Sequence, residues 1–311
     1  MRAANPVLEF SSRLVLIVSV LALSACDAVN DLVDDIDDID NDAEVHYYLS
    51  LGTSLSVGVQ PNSGGTLLPT NDGYPDQLFD SIQPAFDSGG AVPRELRLTK
   101  LGCPGETLDD MIIGGNCLYL AGSQLDAAVD FLNDNQGRVH LVTIDIGAND
   151  FRNADCITTS VDFTCVDAVS AQIATDLATV LATLSNAAGP NTTVIGMNYY
   201  NPYLGSWLEG AAGQTVATDS ALAAGVLNSS LSTTYATAGI PMADVYVAFE
   251  SDDFTTIVPT SLPAPNDQLP LNVANICTFT YMCDVAPVGP DIHATNAGYS
   301  QIANTIETLI P

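Results

Sequence analysis

Short apolar runs at residues 45–51, 95–101, 139–146, 193–198 and 242–249 recur along the chain, and helix-like stretches separate or follow most of them. This alternation restricts the fold more than any other feature, because parallel strands need long crossover connections and helices supply them. The runs VHYYLSL and RVHLVTIDI are almost continuously apolar, as strands are when both faces of their sheet are covered. Within residues 168–188, Val169, Ile173, Leu177, Val180, Leu181 and Leu184 recur at helical spacing and define one buried stripe. Tyr299, Ile302, Ala303, Ile306 and Leu309 repeat that pattern near the C-terminus. The expected fold is α/β, a mostly parallel sheet with helices on both faces, formed by residues 45–311 as one domain. In such sheets the ligand crevice lies outside the carboxyl ends of the strands, so functional residues should follow strands.

The N-terminus reads differently. Arg2 and Arg13 precede the apolar run LVLIVSVLAL, too short to span a bilayer but suited to the centre of a signal peptide. The following LSAC resembles a bacterial lipobox, which implies removal of residues 1–25 and lipid attachment at Cys26. Residues 26–44 then carry acids without a base and read as an extended, self-repelling tether. Asp38, Asp40 and Asp42 match the opening of a calcium loop, but Ala43 and Leu49 replace its glycine and bidentate acid, which excludes an EF-hand. The whole chain has a formal net charge of −30, which argues against nucleic acid as a partner. An exported, membrane-anchored or cell-surface monomer is expected.

Beyond Cys26, six cysteines fall as close pairs: Cys103 with Cys117, Cys156 with Cys165, and Cys277 with Cys283. Each pair brackets a short loop, so three local disulfides are expected in an oxidising compartment. No pair has metal-ligand spacing, and neither a metal nor a cofactor is expected.

Ser54 follows the first run, CPG at 103–105 the second and IGAND at 146–150 the third, while GPDIHATNAGY at 289–299 precedes the last helical stripe. These four segments, in this order, resemble the signature blocks of the GDSL or SGNH hydrolase family. The resemblance spans nearly the whole domain and implies the family's flavodoxin-like three-layer α/β/α sandwich, with a mostly parallel five-stranded sheet. It assigns Ser54 as nucleophile, His293 as base, and the N–H groups of Ser54 and Gly105 with the Asn149 side-chain amide as the oxyanion hole. The residue types suit that chemistry: a serine hydroxyl needs a base, and a tetrahedral intermediate needs fixed donors. His46 and His140, the other histidines, lie at the starts of strands, away from the expected crevice.

The sequence departs from the family pattern twice. Thr53 stands where an aspartate usually precedes the serine, and Pro290 stands where an aspartate usually lies three residues before the histidine. Asp291, two before His293, is the candidate acid if its segment is extended; a backbone carbonyl is the other way to orient the ring. Ser56 reads as a turn hydroxyl. G-x-S-x-G around a serine, a P-loop, HExxH and a dinucleotide fingerprint are all missing. Tyr199, Tyr200, Tyr203 and Trp207 either line an acyl pocket or pack a long loop. The expected activity is hydrolysis of a small-molecule or lipid carboxylic ester without a cofactor. Carbohydrate O-deacetylation and a non-catalytic surface binding lipoprotein are the alternatives.

Overall fold

The computed structural model describes residues 43–89 and 93–311. The expected signal peptide, Cys26 and the tether up to residue 42 lie outside the described residues. Five parallel strands form the central sheet: β1 (Glu44–Gly52), β2 (Arg94–Lys100), β3 (Val139–Asp145), β4 (Thr193–Met197) and β5 (Met242–Ala243). Their spatial order is β2-β1-β3-β4-β5. Tyr48, Leu49, Ser50 and Leu51 are all buried although consecutive side chains alternate in direction, so both faces of β1 are covered.

The principal helices are α1 (Tyr74–Ser88), α2 (Gln124–Asp134), α3 (Phe163–Ala187), α4 (Ala211–Ala238) and α5 (Asn296–Glu307). Right-handed crossovers fix their layers. The step from β1 to β2 runs one way along the sheet and all later steps run the other way, which puts α1 on one face and α2, α3 and α4 on the opposite one. α5 returns to pack on α1, while α2 and α4 pack against α3. The reversal lies between β1 and β3, and a crevice opens there at the carboxyl ends of the strands.

Local signals explain the helix boundaries. Ser123 accepts from Asp126 N–H to cap α2, Asp162 accepts from the N–H groups of Thr164 and Cys165 to cap α3, and Thr295 accepts from Gly298 N–H to cap α5. Ile173, Leu177, Val180, Leu181 and Leu184 form the buried stripe of α3, while Val169 is only partly covered. The fifth run departs from expectation, because only Met242–Ala243 is strand and Val245–Ala248 is a helical turn. Asp244 starts that turn by accepting from Val247 N–H at 3.1 Å. Its residues are apolar because Val245 and Phe249 enter the core, and a short apolar run looks alike in either conformation.

Disulfides join Cys103–Cys117, Cys156–Cys165 and Cys277–Cys283, closing sequence separations of 14, 9 and 6. The sheet and α4 meet closely at Gly196 in β4, where a Cβ would strike the buried ring of Tyr235. Gly196→Ala should therefore lower unfolding free energy by about 1–3 kcal/mol through overpacking, measured by urea unfolding followed by circular dichroism.

Candidate active site

The end of β1 is held against the end of β3. Gly52 has φ +127°, and a Cβ on it would collide with the backbone carbonyl of Asp145, its register partner on β3. The Gly52 N–H donates to Gln124 Oε1 at 2.6 Å, and its carbonyl accepts from Gln124 Nε2 and Cys103 N–H, both at 3.0 Å. Thr53 then donates both its N–H (2.9 Å) and its Oγ1 hydroxyl (2.6 Å) to Asp145 Oδ1. Tyr74 from α1 donates to the other carboxyl oxygen at 3.0 Å. Half-buried Ser54 comes next, and its carbonyl accepts from Val59 N–H at 2.9 Å. Ser56 is fully buried and donates to the Thr53 carbonyl at 2.7 Å, which makes it a turn hydroxyl.

The second wall follows β2. Gly105 has φ +82°, and Asn116 donates to the Pro104 carbonyl at 2.9 Å beside the Cys103–Cys117 disulfide. The third wall follows β3, where the positive φ of Gly147 admits the short helix Ala148–Asn153. Its Asn149 donates through Nδ2 to the Glu106 carbonyl at 2.9 Å, which fixes the amide and leaves its second N–H free to aim elsewhere. Asp150 caps the helix Leu108–Ile113 by accepting from Leu108 N–H, so the second and third walls are tied together.

The fourth wall is the strand Asp291–Ala294. Asp291 Oδ1 lies 2.9 Å from His293 N and 2.7 Å from His293 Nδ1. A carboxylate only accepts, so Nδ1 carries a proton, and in the neutral ring Nε2 then presents a lone pair. Burial would push the Asp291 carboxyl up, but the His293 hydrogen bonds and the charges of His293 and Arg152 outweigh it and hold the group below its usual range.

Ser54, Gly105, Asn149, Asp291 and His293 line one cavity of about 470 Å³, together with Arg152, Leu67 and Pro69. Ser54 and His293 share this cavity without a direct hydrogen bond, and catalytic contacts of this kind often tighten only with substrate bound. The N–H groups of Ser54 and Gly105 find no acceptor among the described residues. Two smaller, mainly apolar cavities adjoin this one: one of about 70 Å³ is lined by Ser54, Leu55, Ala148, Tyr199, Tyr200 and Ile292, and one of about 80 Å³ shares Ala148, Tyr199, Tyr200 and Ile292 and is also lined by Tyr203 and Leu227. Trp207 packs on Phe254 instead. His46 and His140 bond each other at 2.9 Å near the opposite end of the sheet. His140 also borders a cavity of about 600 Å³ there, where Ser81 already donates to Glu307, so no free serine faces a histidine base.

No sequence motif marks Asp145, Gln124, Glu106 or Arg152 as part of this site. An acid closing the buried run VTIDI was the available signal, since a buried carboxyl demands partners. Desolvation pushes Asp145 up to about 7, against the lowering effect of its hydrogen bonds from Thr53 and Tyr74. Glu106, which accepts from Gln124 Nε2 at 3.2 Å, is also pushed up to about 7 by burial. A carboxyl raised on folding favours the folded state below its unfolded value and loses that contribution as pH rises through the folded one. Asp145→Asn keeps an acceptor for Thr53 but cannot ionise. Its melting temperature should therefore fall less than that of the wild type between about pH 4 and pH 8, measured by scanning calorimetry.

No protein-family model matches the chain, and no curated protein does. Among solved structures, it is similar to an extracellular lipase from Streptomyces rimosus, with TM-score 0.52 and 20% identity over 85% of this chain and 99% of that one. A phospholipase A1 from Streptomyces albidoflavus matches with TM-score 0.50 and 18% identity over 85% of this chain and 98% of that one. A GDSL-like lipase from Parabacteroides merdae matches with TM-score 0.50 and 12% identity over 86% of this chain and 95% of that one. The sheet order, the layers and these likenesses agree: the chain has the α/β/α fold of the GDSL, or SGNH, hydrolases.

Proposed function

We propose that the protein is a serine hydrolase of carboxylic esters that works through an acyl-enzyme. The observation that carries this reading is the single cavity gathering Ser54, Gly105, Asn149 and His293, with the His293 ring held by Asp291 through Nδ1. His293 Nε2 takes the Ser54 proton while Oγ attacks the ester carbonyl. The developing oxyanion is received by the N–H groups of Ser54 and Gly105 and the free N–H of Asn149. His293 returns the proton to the departing alcohol. Water, activated by the same ring, then releases the acid.

The two mainly apolar cavities lined by Tyr199 and Tyr200 support an acyl chain longer than acetyl, so a lipase or esterase is favoured over an O-deacetylase. The three disulfides fit an exported protein, and the lipobox-like LSAC supports an anchor at Cys26.

Ser54→Ala and His293→Ala should each reduce kcat on p-nitrophenyl esters by a factor on the order of 10⁴ or more. Asn149→Ala should reduce it about 10²–10³-fold, and a fluorophosphonate probe should label the wild type but not Ser54→Ala. Unlabelled wild type without hydrolysis would mark a binding protein. A preference for acetyl across graded chain lengths would favour deacetylation. Cys26→Ser should move the protein from the membrane to the soluble fraction, and unchanged fractionation would remove the anchor.

A further inference from the structure

The cavity, whose lining includes Arg152 and Asp291, adjoins three segments that carry no charge in a chain of formal charge −30. Residues 59–71, 111–125 and 285–290 hold no Asp, Glu, Lys or Arg. All three adjoin the site. Leu67 and Pro69 line the cavity, the disulfide and the Asn116–Pro104 bond tie residues 116–117 to the wall at Gly105, and Pro287 packs against Gly65.

These segments also expose large apolar side chains. Leu118 and Leu120 are as open as in an extended chain, at 103% and 112%, and Ile113, Leu68, Leu67 and Val285 are exposed as well. Single exposed leucines are ordinary, but several on segments that adjoin one cavity mark an interaction surface. The two leucines are held outward. Tyr119 between them turns inward and donates to the Leu101 carbonyl at 2.6 Å, while Cys117 next to Leu118 is cross-linked to Cys103. A surface fixed in this way loses little conformational freedom when it is covered.

We propose that this rim docks on the surface of a lipid bilayer or lipid aggregate, inserting Leu118 and Leu120 among the acyl chains so that the cavity faces the interface. The proposal rests on the ester-hydrolase reading for the substrate it delivers, but the docking itself requires no turnover. Charge selects the kind of surface. An acidic protein is repelled by anionic lipid, and only an uncharged rim can approach a membrane closely, so a zwitterionic or neutral interface is the partner.

The test compares the full chain carrying Cys26→Ser, which has no site for lipid attachment, with the same chain carrying Leu118→Asp and Leu120→Asp in addition. Partition into phosphatidylcholine vesicles, read by flotation, should fall at least tenfold in the second protein. Hydrolysis of water-soluble p-nitrophenyl acetate should stay within about twofold, which also reports a folded site. The parent should bind phosphatidylglycerol vesicles more weakly than phosphatidylcholine at low salt, with the difference closing as salt is added. Equal partition of the two proteins, or preference for the anionic vesicles, would overturn the proposal. A Leu120→Trp variant gives an independent reading, because its emission should shift to the blue on phosphatidylcholine, and an unmoved spectrum counts against insertion. If neither protein hydrolyses any ester, the vesicle arms still decide the docking, so the two readings fail separately.

Discussion

The turn that carries Ser54 depends on a buried carboxyl group. Asp145 closes β3, and its side chain takes two hydrogen bonds from Thr53 and one from Tyr74. An unpartnered carboxyl there would be costly to bury, and an unfastened Thr53 would leave the residue before Ser54 free to swing. The same contact joins the two strands between which the sheet reverses direction. Thr53, where the GDSL pattern carries an aspartate, leaves no gap in the bonding, because the acid arrives from the neighbouring strand.

Everything else around the cavity is a way of bringing distant residues to that reversal point. Ser54 and His293 are about 240 residues apart in the chain, yet parallel topology delivers successive strand ends to the same edge. Short-range devices then set each wall: Gln124 braces Gly52 through two bonds, Asp150 caps the neighbouring helix, and Glu106 steadies Asn149 through its carbonyl. Only the His293 wall lies outside the sheet. Its strand pairs with Thr280–Tyr281, and Tyr200 holds it from the other side by donating to the Ile292 carbonyl at 2.7 Å.

The sequence made the strands and the reactive residue types legible because burial and catalysis both demand particular side chains. Apolar runs reveal strands, and a serine, an amide and a histidine placed near strand ends reveal a candidate site. Asp145 was hidden for a different reason. Its partnership with Thr53 depends on the register of β1 against β3, which pairs Gly52 with Asp145, and register is a three-dimensional fact with no local signature. The fifth apolar run extends beyond its strand because residues 245–249 are apolar in either conformation. The aromatic loop divides, with three tyrosines lining a small cavity and Trp207 packed on Phe254, since composition alone carries no direction for a side chain.

Each disulfide staples a loop to its own near neighbourhood, over separations of 14, 9 and 6 residues, and none bridges the sheet to a remote element. The architecture is consequently divided in its dependence on redox conditions. The sheet and the long helices owe their layering chiefly to burial and hydrogen bonding, whereas the loops at Cys117, Cys156 and Cys283 are cross-linked, so a reducing environment would loosen those loops before the layers.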